Sequence, residues 1–170
     1  AETIAAHQPA LLINAAAYTQ VDKAESDRET AMAVNAIAPG LLAAAARDSG
    51  ARFVHVSTDF VFGGDSAIPY SPDSPTAPLG FYGETKLQGE QAVQAALPAS
   101  LIVRTAWVYD ATGANFVRTM LRLMRERDEV RVVADQIGTP THAAGLARAI
   151  WALDAAGASG IHHWTDAGVA

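Results

Sequence analysis

The chain has 170 residues, half of them hydrophobic, which is enough to bury a core in one domain and too apolar for a disordered segment. A formal net charge of −6 argues against a general nucleic-acid binder, which would present a basic face. With no cysteine, a disulfide framework and a thiolate metal site are both excluded. The N-terminus lacks the shape of a signal peptide, and no apolar run reads as long enough to span a bilayer, so a cytoplasmic protein without a membrane partner is expected. Residue 1 is Ala1 rather than Met, which suits a trimmed piece of a longer protein.

Residues 2–7 read as the end of a helix closed by Pro9, and residues 10–14 (Ala-Leu-Leu-Ile-Asn) as a buried strand. Small residues follow in Ala15-Ala16-Ala17-Tyr18-Thr19. They either admit a ligand close to the backbone or pack a tight turn. From Asp22 to Gly50 the pattern is mostly helical, with Asp22 and Ser26 as caps and Gly50 as the stop. Val34, Ile37, Leu41, Leu42 and Ala45 make its predicted packing face. Asn35, inside that apolar stretch, is either satisfied locally or part of a site.

Residues 52–57 form the next predicted strand, running into Ser57, Thr58 and Asp59. Gly63 to Pro78 is a loop by composition, of a length that is usually functional or mobile. A helix carrying Tyr82 and Lys86 ends near Leu97-Pro98, and Ser100 to Thr105 is another apolar strand. Trp107, just past it, is either core or the wall of a pocket. Asn115 to Arg127 is predicted as an amphipathic helix with Phe116, Met120, Leu123 and Met124 on one face. Val130 to Val133 is predicted as a short strand, and Gly138 to Thr141 as a turn and cap before a helix from His142 to Leu153. Gly160 to Trp164 is the last strand. Alternating strands and helices indicate an α/β fold with a parallel sheet covered on both faces.

Tyr82 and Lys86 lie one helical turn apart on the same face. A free Tyr, with a pKa of about 10, is a poor acid or base near neutrality, and a nearby ammonium would lower that value. Alone, the pair reads as a solvated helix face, since exposed helix faces are ordinarily charged and polar. The strand Phe53 to Ser57, ending in hydroxyls, changes this, because ligands of open α/β sheets sit at the carboxyl ends of strands. Thr58, Tyr82 and Lys86 could then meet around one carbonyl. The five histidines show no metal-ligand spacing, and adjacent His162 and His163 point to opposite faces of a strand. No G-x-S-x-G is present, which argues against a Ser-His-acid hydrolase. Asp22, Glu25, Asp27 and Glu29 read as helix-start charges and a solvated face.

Taken together, Asn14 to Thr19, Val34-Asn35, Val56 to Phe62, Tyr82 to Lys86, Arg104 to Tyr109 and Asp135 to Thr141 resemble the extended short-chain dehydrogenase/reductase group. Within it they look most like the dTDP-4-dehydrorhamnose reductases. The resemblance covers nearly the whole chain. It implies an NAD(P)-binding, Rossmann-like, doubly wound parallel sheet lacking its N-terminal βαβ unit and part of the C-terminal substrate domain. Residues 1–170 would be one partial Rossmann-type domain, with residues 107–141 contributing to the sugar-nucleotide region.

The reaction implied is reduction of the 4-keto group of dTDP-6-deoxy-L-lyxo-4-hexulose to dTDP-L-rhamnose with NADPH or NADH. Carried over, Tyr82 would donate the proton, and Lys86 would lower its pKa and hold the nicotinamide ribose. Thr58 would bind the carbonyl; Asp59, Trp107 and Val21 would contact the sugar nucleotide. Ala17, Tyr18 and Thr19, with Tyr82 and Lys86, would lie against the cofactor. Asn35 would support the site from within its helix. The resemblance also implies a homodimer, and in some relatives a Mg2+ ion at the interface, to which no residue here is assigned. Two alternatives share the pattern: a nucleotide-sugar epimerase or dehydratase, and a non-catalytic regulatory subunit like that of methionine adenosyltransferase.

The glycine-rich turn that cradles the pyrophosphate in such folds has no counterpart in the sequence. Isothermal titration of this chain with NADPH is therefore expected to show no micromolar binding; a micromolar isotherm would overturn that reading of the missing lobe.

Overall fold

The computed structural model describes residues 2–170. In chain order the elements are α1 (Glu2–His7), β1 (Leu11–Asn14), α2 (Val21–Ala24), α3 (Arg28–Ala31), a π-helical turn (Met32–Ile37), α4 (Ala38–Ser49), β2 (Arg52–Thr58) and a 3₁₀ turn (Asp59–Val61). Then follow α5 (Phe81–Ala96), β3 (Leu101–Thr105), β4 (Val108–Tyr109), α6 (Phe116–Glu126), β5 (Thr141–His142), α7 (Ala143–Ala155) and β6 (Gly160–His163). Strands β1-β2-β3-β6 lie side by side in one parallel sheet, as the alternating pattern predicts.

Register fixes the two faces. Leu12 stands beside Phe53, and with Ile102 these pack on Ala43 and Ala46 of α4 and Val93 of α5. The alternate residues Leu11, Ile13, Val54, Leu101 and Val103 pack on Leu146 and Ile150 of α7. Both faces are therefore covered, and the strands read as continuous apolar runs for that reason. Parallel register also places Thr58 opposite Thr105. The chain segments that follow β1, β2 and β3 thus emerge on one edge.

Several local expectations are corrected. Arg28 to Ser49 is one continuous helical rod of 22 residues, long and apolar enough to cross a membrane by length and composition, contrary to the sequence expectation. One face of it is buried against the sheet and α5, as in a helix covering a parallel sheet. Its predicted packing face is also displaced: Ile37 and Leu41 are exposed, while Ala31, Asn35, Ala36, Pro39, Ala43 and Ala46 are buried. The buried stripe keeps helical spacing through the π-turn, from Ala31 and Asn35 to Pro39, Ala43 and Ala46, so the buried face is chosen by what packs against it rather than by the largest apolar side chains. Asp22 and Ser26 do not cap; the residues at the helix starts are Gln20 and Asp27. Gly50 does end α4, with φ at 72°.

The buried stripe is made of small residues because α5 presses against it. A Cβ on Gly89 would overlap the carbonyl oxygen of Asn35, and one on Gly40 would stand 2.9 Å from Ala92 Cβ. Beyond β3 the chain is more open. Val130 to Val133 forms no strand, and Val132 and Val133 are exposed; a β-branched run becomes a strand only where a sheet edge accepts it. Thr141 is not a helix cap but lies buried in β5, paired with Val108, and its hydroxyl accepts from Thr105 at 3.2 Å. No residue of α6 is fully buried: of its predicted apolar face, Phe116 and Met124 are exposed, while Met120 and Leu123 are half-buried.

Alanine in a helix interior normally stabilises relative to glycine by about 0.5–1 kcal/mol. Gly89→Ala should instead destabilise by about 2–4 kcal/mol in urea unfolding, because the added methyl meets backbone. Leu41→Ala, on the exposed face, should stay within roughly 0.5 kcal/mol of wild type. Equal effects would mean that the two helices are not in that contact.

Candidate active site

The site is built where β2 ends and α5 begins. Thr58 is the last strand residue; its Oγ1 accepts from the Phe60 amide at 3.2 Å and donates to Asp59 Oδ1 at 3.1 Å. That fixes the 3₁₀ turn and sets the hydroxyl at the carboxyl edge of the sheet. Helix α5 has Gly80 at its N-cap, with no side chain to satisfy the first amides. Glu25 supplies the acceptor from across the fold: the Phe81 amide donates to its Oε1 at 2.7 Å. Tyr82 follows in the first turn and Lys86 one turn later. A Cβ on Gly83 would overlap the Phe60 carbonyl, so glycine lets the 3₁₀ turn lie directly on α5. Phe60 then meets the Tyr82 ring edge-to-face at 5.4 Å.

Lys86 is 2% exposed, and its Nζ donates to the Val56 carbonyl at 2.8 Å. Burial brings its pKa down to about 8, against the opposing pull of Glu90. The Tyr82 hydroxyl is raised above its ordinary value, chiefly by burial; Thr58 opposes this through a hydrogen bond, and the Asp59 charge adds to it. The expected lowering of Tyr82 by Lys86 is thus corrected: the ammonium is turned to Val56 and burial dominates. Asp59 is likewise raised by burial, opposed by its bond from Thr58.

Below them, His55 is fully buried on β2. Asn14 Nδ2 donates to His55 Nδ1 at 3.1 Å, while Asn14 Oδ1 accepts from the Ala16 amide at 3.2 Å. Burial, reinforced by the Lys86 charge, lowers the His55 pKa to about 3, so the ring is neutral near neutrality. Asn35, in the π-turn, ties three parts together. Its Oδ1 accepts from the Tyr18 amide at 2.8 Å, and its Nδ2 donates to the Tyr18 carbonyl at 3.1 Å and to Thr85 Oγ1 at 3.2 Å. Thr85 in turn donates to the Tyr82 carbonyl at 2.8 Å.

Of the residues singled out from sequence, Thr58, Asp59, Tyr82 and Lys86 come together at the β2–α5 edge. Tyr18 and Val21 pack on Tyr82 with Ala24 and Ala31. Ala17 is half-buried and Thr19 exposed, on the segment that Asn14 and Asn35 pin. Trp107 stands past the end of β3 with a left-handed φ of 46°, its indole lying over Gly138. Sequence reasoning missed Glu25, which it placed on a solvated face, and did not single out His55, Glu90 or Arg104. A glycine N-cap without its own acceptor was the available signal for Glu25. A buried Glu one turn beyond Lys86 needed its partner strand to be known.

The depressed His55 value has a sign. Below pH 6.5 the unfolded chain takes up the proton that the folded chain refuses, so stability falls as pH drops from 6.5 toward 3. Between pH 7 and about pH 4.5 this residue should cost roughly 2–3 kcal/mol. Urea unfolding at both pH values should show that His55→Gln loses that part of the slope; an identical slope in both proteins would assign the acid sensitivity elsewhere.

Sequence comparison matches residues 1–170 to the RmlD substrate binding domain family. A dTDP-4-dehydrorhamnose reductase of Burkholderia thailandensis is 49% identical over 170 residues, covering 95% of this chain and 57% of that protein. A probable dTDP-4,6-dihydroxy-2-methyloxan-3-one 4-ketoreductase of Streptomyces antibioticus is 48% identical over 169 residues, covering 98% of this chain and 57% of its own length. Among solved structures, the Bacillus anthracis dTDP-4-dehydrorhamnose reductase in complex with NADP superposes with a TM-score of 0.95 at 42% identity, over 99% of this chain and 60% of that one. The chain thus spans little more than half the length of the relatives it matches. On the match along its whole length, the chain belongs to the RmlD substrate binding domain family.

Proposed function

We propose that this chain carries the carbonyl-handling half of an NAD(P)H-dependent reductase that converts the 4-keto group of dTDP-6-deoxy-L-lyxo-4-hexulose to the alcohol of dTDP-L-rhamnose. The observation that carries this reading is the pairing of two hydroxyls, Thr58 and Tyr82, at the carboxyl end of β2, with a buried lysine one turn behind.

Reduction puts negative charge on the carbonyl oxygen. Two hydroxyl donors positioned there stabilise the transition state more than the ground state. Tyr82 is the proton donor. Its raised pKa suits that role, since the hydroxyl keeps its proton at neutral pH and gives it up only to a developing alkoxide, a far stronger base. Thr58 supplies the second hydrogen bond by turning its one O–H from Asp59 Oδ1, its partner in the free chain, to the carbonyl oxygen. Asp59, half-turned from the same strand end, and Trp107 are the contacts for the sugar nucleotide. Val21 lines the site through its packing on Tyr82.

The residues present fit a nicotinamide nucleotide. An ammonium has three donors, and Lys86 spends one on Val56, leaving donors for a ribose diol. Ala17, Tyr18 and Thr19, held by Asn14 and Asn35, offer small side chains and backbone beside it. When bound, the cofactor supplies the hydride; the chain supplies orientation and the proton. The NADP complex of the Bacillus anthracis relative supports this assignment. The exposed, weakly packed stretch 107–141 suits the sugar-nucleotide side of the site. A dimer and a cytoplasmic setting accord with this reading.

A second reading keeps the chemistry and changes the ketosugar. The relative from Streptomyces antibioticus, named as a 4-ketoreductase of a different dTDP-linked sugar, favours it. The Thr58, Tyr82 and Lys86 set argues against a purely regulatory subunit.

The test uses a protein that carries this chain within the full length of its relatives. NADPH oxidation, followed by absorbance, should depend on the ketosugar, and Tyr82→Phe should lower kcat by about 10²–10⁴-fold. An undiminished rate in that variant would remove Tyr82 as the donor. Turnover only with another dTDP-4-ketosugar would select the second reading.

A further inference from the structure

Arg104 is the last charged residue of β3, and it is 4% exposed. Its guanidinium clasps Glu90 of α5 with two bonds, Nε to Oε1 at 2.9 Å and Nη2 to Oε2 at 2.7 Å. Glu90 is itself 1% exposed. Such a fork–fork pair is rigid as well as strong. One arm remains, and Nη1 reaches out of the core to the Pro72 carbonyl at 3.3 Å. Pro72 belongs to the segment 63–78, which contains no helix or strand of its own.

That segment is held from the same place by four further contacts. The Arg104 guanidinium stacks over Phe62 at 5.0 Å, and Phe62 stacks flat on Tyr70 at 4.4 Å. His163 of β6 meets Phe62 edge-to-face at 5.7 Å, and its ring bonds the Tyr70 carbonyl through Nδ1 at 3.2 Å. The segment leaves the sheet immediately after the turn that Thr58 caps and returns immediately before Tyr82. It therefore begins and ends at the two proposed carbonyl donors. Few groups of the segment are buried, so its position depends on these anchors rather than on a core of its own.

We propose that Arg104 is a positioning residue: locked by Glu90, it braces segment 63–78 against the carboxyl end of the sheet and so holds one wall of the ketosugar pocket. The proposal rests on the ketosugar-reductase reading for its consequence, but not for the brace. A lysine at this position would keep a charge beside Glu90 and lose the fork, since an ammonium cannot serve the carboxylate in two parallel bonds and the Pro72 carbonyl together. Tyr70→Ala offers a milder route to the same end. It removes the Phe62 stack from an incompletely buried residue, together with the Tyr70 hydroxyl's bonds to Asp65 and Ser66, and leaves the Arg104–Glu90 pair intact.

Hydrogen exchange on this chain tests the brace directly. The Ala77 amide, bonded to the Val61 carbonyl, and the Ser74 amide, bonded to Ser71, report on the segment. Both Arg104→Lys and Tyr70→Ala should speed exchange there about tenfold or more, with β2 and β3 amides changed less than about threefold. In the longer protein, both should raise the KM for the ketosugar about fivefold or more with kcat changed less than about threefold. Unchanged exchange in the segment, or equal acceleration across the sheet, would overturn the brace. A loss of kcat at constant KM would overturn its role at the pocket. If the wild type reduces no ketosugar, the functional reading fails while the exchange result still decides the brace.

Discussion

The close approach of α5 to the π-turn and α4 is the constraint on which the rest of this structure depends. Asn35 presents its carbonyl where a side chain at position 89 would be, and Gly40 meets Ala92 with almost no gap. Glycines and alanines along the seam allow the two helices to touch backbone to backbone. This puts Asn35 within reach of both the Tyr18 backbone and Thr85. One side chain then couples the segment after β1 to the helix that carries Tyr82 and Lys86. A wider separation would leave a buried amide unpaired and both segments unanchored.

The same packing creates the electrostatics of the site. Lys86 is driven under the sheet edge, where holding it charged costs about 3 kcal/mol at neutral pH, judged from its fall from 10.5 to about 8. That cost remains after the negative charge of Glu90 has offset part of the burial penalty, and the ammonium is held by the Val56 carbonyl. Burial acts oppositely on the acids: it raises Tyr82 and Asp59, so the phenol keeps its proton at neutral pH. His55 sits neutral beneath them, its Nδ1 taken by Asn14. The site thus mixes one reluctant cation with groups that resist losing or gaining protons.

Much of this was legible in the amino-acid sequence. The apolar runs at β1, β2, β3 and β6 and the long helical patterns between them gave the parallel α/β order. The Tyr82–Lys86 spacing and the hydroxyl at the end of β2 pointed to the β2–α5 edge. The stretch from 107 to 141 was less legible. Val130 to Val133 has strand propensity but no sheet edge to join, and Thr141 has a cap's chemistry but a strand's partner. The π-turn was invisible, since nothing in the residues 32–37 distinguishes it from an α-helix, and the buried stripe follows the small residues against α5 rather than Ile37 and Leu41.

By itself, then, the sequence determined which segments are strands and helices, that they stack as a parallel layer, and which tyrosine and lysine share a helix face. These follow from periodicity and local chemistry, which act over a few residues. Only the tertiary structure decided that Glu25 caps α5, that Glu90 belongs to Arg104, that Asn35 bridges Tyr18 and Thr85, and that Lys86 turns to Val56 rather than lowering Tyr82. Each of these joins groups distant in sequence. Their pairing, and the burial that shifts their protonation, exist only once the sheet register and the helix seam have brought them together.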